Sequence, residues 1–398
     1  MKKINLDTAL LRAVELPGRY VGGEFNQTKK SWQDLAADGK RLLRFAFCFP
    51  DTYEIGMSNL ALRILYDVVN REEDLLCERV FAPWLDMKAI MEEKDIPLFS
   101  LENHYAAKDF DCLGFTLSYE LAFSPTLALM KLAGIPLRTS DRREEDPIII
   151  AGGPATYNIE PMADFLDLVL IGEGEESLPE LLKLMRQMRV LGQATREEFL
   201  IEASKLKGVY VPSLYDISYK EDGTIEAIRP KHGAAFPVKK RVIMDLDRVA
   251  YPIKTPVPNI RTVHDRAFLE VFRGCPRGCR FCQAGQIYRP VREKSADVLA
   301  GQMEAILEES GYDEVGMLSL STSDYSQLQN LMDRVLPGAS DRKVNVSLPS
   351  LRIDNFSLNL LEEISKTRKA GLTFAPEAGS QRLRDVINKG IDEDEILR

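Results

Sequence analysis

The sequence predicts an α/β protein: an N-terminal open parallel sheet, a β-containing connector, and a second strand-helix unit that opens like a (β/α) barrel. Three observations predict it. Short apolar runs alternate with helical segments from Leu42 to about residue 195, and the rhythm returns after residue 265; strands covered by helices on both faces read this way. The stretch between holds Pro230, Pro237, Pro252, Pro256 and Pro258, which break regular elements. A length of 398 residues, 45% hydrophobic and 28% charged, exceeds one ordinary core while keeping a globular composition. The predicted divisions are an arm over 1–40, the open α/β domain over 41–195, the connector over 196–264 and an incomplete barrel over 265–398.

In the arm, an amphipathic segment, Ala9 to Glu15, precedes "PGRYVGGEFNQTKKSW". Its Arg19, Tyr20, Gly22, Gly23 and Glu24 either pack against another domain or line a site, and paired glycines answer a conformational need without chemistry. "LLRFAFCFP" then reads as a buried strand, Ser58 to Val69 as a helix, Phe110 to Leu117 as a strand and Pro125 to Ala133 as a helix. "PIIIAGG" and "LVLIGEG" are the third and fourth strands, and Leu178 to Met188 closes the domain as a helix. A ligand of such a sheet is expected at the carboxyl ends of its strands.

In the connector, "VYVPSLYDISYKEDGTIEAI" reads as a hairpin around Asp222-Gly223. The second unit then offers "AFLEVF", "EVGMLSL", "KVNVSL" and "GLTFA" as strands. Ser295 to Ser310, Tyr325 to Val335, Leu358 to Thr367 and Ser380 to Asn388 are its helices. Four such repeats leave an open sheet edge, and the chain stops at "IDEDEILR" where a further strand is due. The expectation is a chain truncated at its C-terminus, completed by a further segment or by a separate partner protein.

The formal net charge of −9 argues against a surface that attracts polyanions generally, while a local basic patch remains compatible with an RNA substrate. No stretch of about 20 apolar residues and no signal-peptide core occurs, so no membrane partner and a cytoplasmic location are expected. Cys48, Cys77 and Cys112 lie far apart beside apolar residues. They read as small core residues, not as a secreted disulfide framework.

Cys275, Cys279 and Cys282 are different: they crowd into "GCPRGCRFC" directly after a strand, with Gly274 and Gly278 permitting a tight turn. Three thiolates on a [4Fe-4S] cluster leave one iron open to a non-protein ligand, where an electron-transfer cluster normally takes four. The alternatives are structural zinc, with His264 or a distant cysteine as fourth ligand, and chance clustering.

The Cys-x3-Cys-x2-Cys spacing, with Phe281 before the last cysteine, resembles the hallmark loop of the radical S-adenosylmethionine (SAM) enzymes. The resemblance implies SAM on the open iron, an electron donor such as flavodoxin or ferredoxin, and a 5'-deoxyadenosyl radical that abstracts hydrogen from a substrate. Where the family carries a small-residue and acidic motif for the methionyl amine, this chain has "LSLSTSDYS", which makes Ser321 and Thr322 candidates and Asp324 a helix cap. In "NVSLPSLRID", Ser347, Ser350, Arg352 and Asp354 are placed to reach ribose or carboxylate, or else form a turn and a surface ion pair. "PEAGS" resembles a segment of a large radical subfamily that includes methylthiotransferases, and implies that Glu377 faces the cofactor while Gly379 and Ser380 start a helix.

The first domain resembles a Rossmann-like cobalamin-binding domain. "PDTYEIG" gives Asp51, Tyr53 and Gly56 in the outline Asp-x-His-x-x-Gly, with tyrosine where the cobalt-binding imidazole would stand. Ser118, the pair Gly152-Gly153, and the run Gly172, Glu173, Gly174 resemble the serine, paired glycines and acidic loop of cobalamin-associated radical enzymes. Over nearly its whole length the chain resembles the B12-binding-domain-containing radical SAM protein family. The implied function is reductive cleavage of SAM at a [4Fe-4S] cluster with a radical acting on a substrate, cobalamin being the candidate second cofactor. The competing readings are a tRNA or protein methylthiotransferase, with Cys48, Cys77 and Cys112 holding a second cluster, and a non-catalytic iron-sulfur scaffold or RNA-binding accessory.

Overall fold

Six strands build the N-terminal sheet: β1 (Leu43–Phe49), β2 (Leu75–Phe81), β3 (Cys112–Thr116), β4 (Ile148–Gly152), β5 (Leu168–Leu170) and β6 (Val209–Tyr210), in the order β2-β1-β3-β4-β5-β6. All neighbours are parallel except β5 and β6. The computed structural model describes residues 3–349, 351–352 and 374–397. The chain divides into two units: Met1–Val242 with Ala250–Pro252 and Pro256–Val263, and Ile243–Val249 with Ile253–Thr255 and His264–Arg398.

The four strands expected in this sheet are β1, β3, β4 and β5; β2 and β6 are additional. β2 escapes sequence reading because Glu78 and Arg79 interrupt its apolar run, yet both are buried to 1% exposure or less. β1 shows the logic of a doubly covered strand: Phe45, Phe47 and Phe49 pack into one apolar layer, Ala46 and Cys48 into the other. β1 lies between β2 and β3, so the sheet reverses direction there, and the loops after β1 and β3 flank the switch point where ligands of open sheets bind. The closing helix spans Gly174–Met185 and widens into a π-helical segment, Arg186–Leu191.

The arm belongs to this unit's core. Glu24 on the arm pairs with Arg79, whose Nε and backbone N–H both donate to Glu102 at 2.7 Å. The Tyr53 hydroxyl donates to Glu24. Beside them, Glu78 accepts from Trp32 Nε1 and Asn103 Nδ2, each at 2.7 Å. Burial pushes the Glu102 carboxyl up to about 7 against the pull of Arg79, and the Glu78 charge pushes the same way. A carboxyl raised from 4.5 to about 7 binds its proton more tightly folded than unfolded, so the stability it contributes is complete below that window and is lost as pH rises through it. Both tryptophans of the chain, Trp32 and Trp84, lie in this unit. Urea unfolding followed by their fluorescence is therefore expected to show a midpoint that falls from about pH 5 to about pH 7.5, and the Glu102→Gln variant a visibly flatter slope.

β7 (Tyr215–Tyr219) and β8 (Ile225–Pro230) form the expected hairpin, with Gly223 at φ 80° and Asp222 Oδ1 accepting from the Thr224 N–H at 2.9 Å. In the second unit, β9 (Ala267–Glu270), β12 (Glu314–Leu318) and β13 (Asn345–Ser347) make a parallel sheet ordered β13-β12-β9. A two-stranded antiparallel ribbon joins β10 (Phe272–Arg273) to β11 (Arg292–Glu293). The helix expected over Ser295 to Ser310 spans Ala296–Ser310, capped by Ser295 at one end and by Gly311, at φ 71°, at the other.

The next helix spans Leu328–Asp341, not Tyr325 to Val335: Thr322–Asp324 make a tight turn, and Tyr325 is anchored through its hydroxyl to the Lys294 carbonyl. Ser380 caps Gln381–Val386 as expected. The helix expected over Leu358 to Thr367 lies outside the described residues, as do Gly371 to Thr373 of the fourth strand; Phe374 and Ala375 carry no regular element. Among the described residues no helix is long and apolar enough to cross a membrane.

Candidate functional site

The cysteine loop leaves β10 through Gly274, at φ 89° and so close to the returning chain that a Cβ would sit 2.9 Å from the Pro290 carbonyl. The β10–β11 ribbon pairs Phe272 with Glu293 and Arg273 with Arg292, closing both ends of the loop. At its base the partly buried Glu270 accepts both 2.9 Å bonds of the Arg273 guanidinium. Burial opposes the Glu270 charge, but Arg273 and Lys294 outweigh it and hold the carboxyl below its usual range.

Cys275, Cys279 and Cys282 are free and partly exposed on this loop, and the Cys282 N–H turns back onto the Cys279 carbonyl at 3.2 Å. Partial burial raises the Cys275 thiol; the Arg277 backbone N–H opposes this, and the charges of Asp324, Cys279 and Cys282 add to it. Among the described residues no three His, Cys, Asp or Glu side chains are arranged to hold a metal ion. The three sulfurs therefore share one loop and one electrostatic neighbourhood without being closed onto a point. The donor set fits an iron-sulfur cluster, since binding as thiolates to iron relieves the mutual repulsion of the three sulfurs. His264 packs edge-on to Phe268.

A chain of hydrogen bonds surrounds the loop. Arg277, between the first two cysteines, forks onto Asp324, with Nε to Oδ2 at 2.9 Å, and the Ser321 hydroxyl donates to the same oxygen at 2.7 Å. Asp324 thus clamps the loop and does not cap a helix: the following helix has Gln327 at its cap and no side-chain bond there. Next to it, Ser323 Oγ accepts from the Arg352 N–H at 3.0 Å, and Arg352 Nη2 reaches the Lys389 carbonyl at 2.8 Å. Lys389 Nζ lies 3.4 Å from Glu377 Oε1. Asn388, at φ 56°, closes the circuit by donating from Nδ2 to the Gly278 carbonyl at 2.8 Å, while the Arg280 N–H bonds Ile387 O at 2.9 Å.

Of the residues singled out in sequence, Ser321, Arg352 and Glu377 fall in this circuit with the cysteine loop. Thr322 is fully buried with its hydroxyl on Ser319 at 2.9 Å, and Ser347 Oγ accepts from Arg266 at 3.2 Å. Both hydroxyls thus have protein partners, as do Ser321, Arg352 and Glu377. Phe281 is 54% exposed beside the cysteines. Ser350 and Asp354 lie outside the described residues. Sequence reading missed Arg277, Asn388 and Lys389. Only Asn388 carried a signal, standing two residues before Gly390 where a helix ends in left-handed backbone. The Asn388→Ala variant is expected to lose reconstituted iron to a chelator about tenfold faster than the parent, measured by absorbance, while the fluorescence unfolding of the N-terminal unit stays unchanged.

In the N-terminal unit the motif residues stand at or just after the ends of β1, β3, β4 and β5. Tyr53 is 1% exposed, and its oxygen is shared between Glu24 and the Asn259 N–H. The Tyr53 side chain is thus engaged inside the unit. A Cβ on Gly56 would lie 2.3 Å from the Phe81 ring, so this glycine serves packing. Gly153 and Gly172, at φ 102° and 110°, let the backbone pass Leu117 and Arg241. Gly152 ends β4, Gly174 starts the helix Gly174–Met185, and Glu173 N–H bonds Arg241 O at 3.0 Å. Asp51 Oδ1 accepts from the Thr52 N–H at 2.7 Å, and Ser118 follows β3 half-buried. Ile55, Tyr119, Leu121 and Tyr157 are exposed on the loops after β1, β3 and β4, an apolar margin along the carboxyl edge of the sheet.

Cys48, Cys77 and Cys112 are fully buried, with Cys48 in one layer and the other two across the sheet. Burial drives all three thiols up. They cannot meet on a second cluster, which removes the residues on which the methylthiotransferase reading stood.

Residues 61–212 match the family model described as radical SAM proteins, N-terminal, and residues 269–398 match that of the radical SAM superfamily. Over 360 residues the chain is 29% identical to an uncharacterized protein of Methanocaldococcus jannaschii, covering 90% of this chain and 65% of the relative. The chain thus spans less than two thirds of the length of that curated relative. The radical SAM methyltransferase TsrM of Kitasatospora setae, solved with tryptophan substrate and a SAM analogue, superposes with a TM-score of 0.51 at 12% identity, covering 86% of this chain and 60% of the other. A second structure of TsrM, with cobalamin and a [4Fe-4S] cluster, gives a TM-score of 0.49 at 12% identity, covering 82% and 58%. At such identity the likeness is one of fold.

Proposed function

We propose that this chain, which belongs to the radical SAM superfamily, is an enzyme that binds a [4Fe-4S] cluster through Cys275, Cys279 and Cys282 and cleaves SAM reductively to act on a substrate by hydrogen abstraction. The observation that carries the reading is the cysteine loop itself: three free, partly exposed thiols on one short loop, tied at both flanks to the segments holding Ser321, Arg352 and Glu377.

Cys275, Cys279 and Cys282 would hold the cluster, which would supply the single electron that reductive cleavage of the SAM sulfonium to methionine and a 5'-deoxyadenosyl radical requires. The residues of the chain prepare that event. The ribbon and Gly274 close the ends of the loop, and the uptake of iron would draw the three sulfurs together. Arg352 and Glu377, a cation and an anion near the loop, match the carboxylate and the amine of a methionyl group. Phe281 offers a flat apolar surface to a nucleoside base. The electron comes from a carrier such as flavodoxin or ferredoxin.

Cobalamin is the second cofactor in this reading, placed on the carboxyl edge of the N-terminal sheet. The switch point between β1 and β3 and the exposed Ile55, Tyr119, Leu121 and Tyr157 support it. Since Tyr53 is buried, the corrin would be held by contacts to its ring and tail and receive no ligand from position 53.

The test is anaerobic reconstitution with iron and sulfide, followed by dithionite and SAM. Formation of 5'-deoxyadenosine and methionine is expected, and none from a protein carrying its full complement of iron would sink the reading. A cobalamin titration followed by visible absorption tests the second site separately.

A further inference from the structure

The second-strand loop "STSD" has a carboxylate, Asp324, whose side chain is only 4% exposed although it ends no strand and caps no helix. Its oxygens are taken by the Arg277 fork and by the Ser321 hydroxyl. Arg277 is itself 29% exposed at its side chain and sits inside the Cys275-to-Cys279 segment. A nearly buried carboxylate needs a partner, and here the partner is part of the cluster loop. The pair therefore does two things at once: it fixes where the middle of the loop lies, and it sets one positive and one negative charge beside the three sulfurs.

We propose that Arg277 and Asp324 are paired positioning residues that hold the cysteine loop and, by their opposed charges, set the reduction potential of the cluster it carries. The proposal rests on the reading of the loop as a cluster site. A reduced cluster carries one more negative charge than an oxidised one, so a nearby cation favours reduction and a nearby anion opposes it. With Arg277 removed, the Asp324 charge acts on the cluster uncompensated; with Asp324 removed, the guanidinium does. A brace that is merely structural has no reason to produce shifts of opposite sign.

The test uses the full chain, reconstituted anaerobically, with potentials read by electron paramagnetic resonance during a reductive titration without SAM. Arg277→Gln is expected to lower the potential and Asp324→Asn to raise it, each by about a tenfold change in the reduction equilibrium, or ~59 mV for one electron. The double variant is expected to return close to the parent, and Arg277→Lys, which keeps the charge, to stay near it. Shifts of the same sign, or no shift, in variants that hold their iron would overturn the proposal. So would loss of iron in all four variants, which would make the pair a structural tie alone. Because the titration omits SAM, it reads the pair even where the parent protein makes no 5'-deoxyadenosine, an outcome that would count against the enzymatic reading and not against this one.

Discussion

Replacing any one of Cys275, Cys279 and Cys282 by alanine is expected to strip the reconstituted protein of nearly all its iron and to abolish formation of 5'-deoxyadenosine from SAM. The reasoning is one of ligand count. Three thiolates are the minimum that holds a cube while leaving one iron open, and among the described residues no histidine, cysteine or acid is arranged with them to take over a lost position. The loop itself should survive, since its ends are closed by the β10–β11 ribbon and its middle by Arg277 and Asn388. The same substitution at Cys48, Cys77 or Cys112 is the control: these sulfurs lie in apolar layers on both sides of the sheet, and iron content should not move. Iron and sulfide analysis beside the visible absorption of the cluster checks both halves. Normal iron in the loop variants, or iron lost from the buried set, would contradict the assignment.

The second large effect is on stability. Arg79→Met is expected to destabilise the N-terminal unit by about 3–5 kcal/mol, the range for breaking a buried ion pair from one side. Glu24 and Glu102 both depend on this guanidinium, and all three side chains are exposed by 1% or less. Against a total stability of about 5–15 kcal/mol, such a loss leaves the unit marginal. Removing both acids as well, in Glu24→Gln/Arg79→Met/Glu102→Gln, should recover part of the loss, because no uncompensated charge then stays buried. Urea unfolding followed by tryptophan fluorescence reads this directly, and a shift under about 1 kcal/mol would show that the acids find other partners.

The same guanidinium explains a limit of the sequence reading. Apolar runs announce strands, and β1, β3, β4 and β5 were legible on that ground; β2 has the same burial but carries Glu78 and Arg79 at its centre, where only partners distant in sequence make them tolerable. Glu24 lies 55 positions from Arg79, and no local pattern relates them. Turns and caps depend on neighbours within a few residues, so the Asp222-Gly223 hairpin and the helix start at Ser380 were readable.

At the candidate site the cysteine spacing was legible because three cysteines fall within eight residues. What surrounds them was not. Asn388 reaches Gly278 across 110 positions, and Asp324 reaches Arg277 across 47. Tyr53 is instructive in the other direction: the outline Asp-x-x-x-x-Gly stands in the sequence, but its tyrosine faces inward to Glu24, and Gly56 is small because Phe81 lies against it.

The central claim is that three thiolates leave one iron of the cluster open to SAM. The most direct measurement is electron nuclear double resonance on the reduced, reconstituted protein with SAM labelled by nitrogen-15 at the amine and oxygen-17 at the carboxylate. Coupling of both labels to the cluster is the predicted result. A cluster spectrum unchanged by SAM, without coupling to either label, would contradict the account.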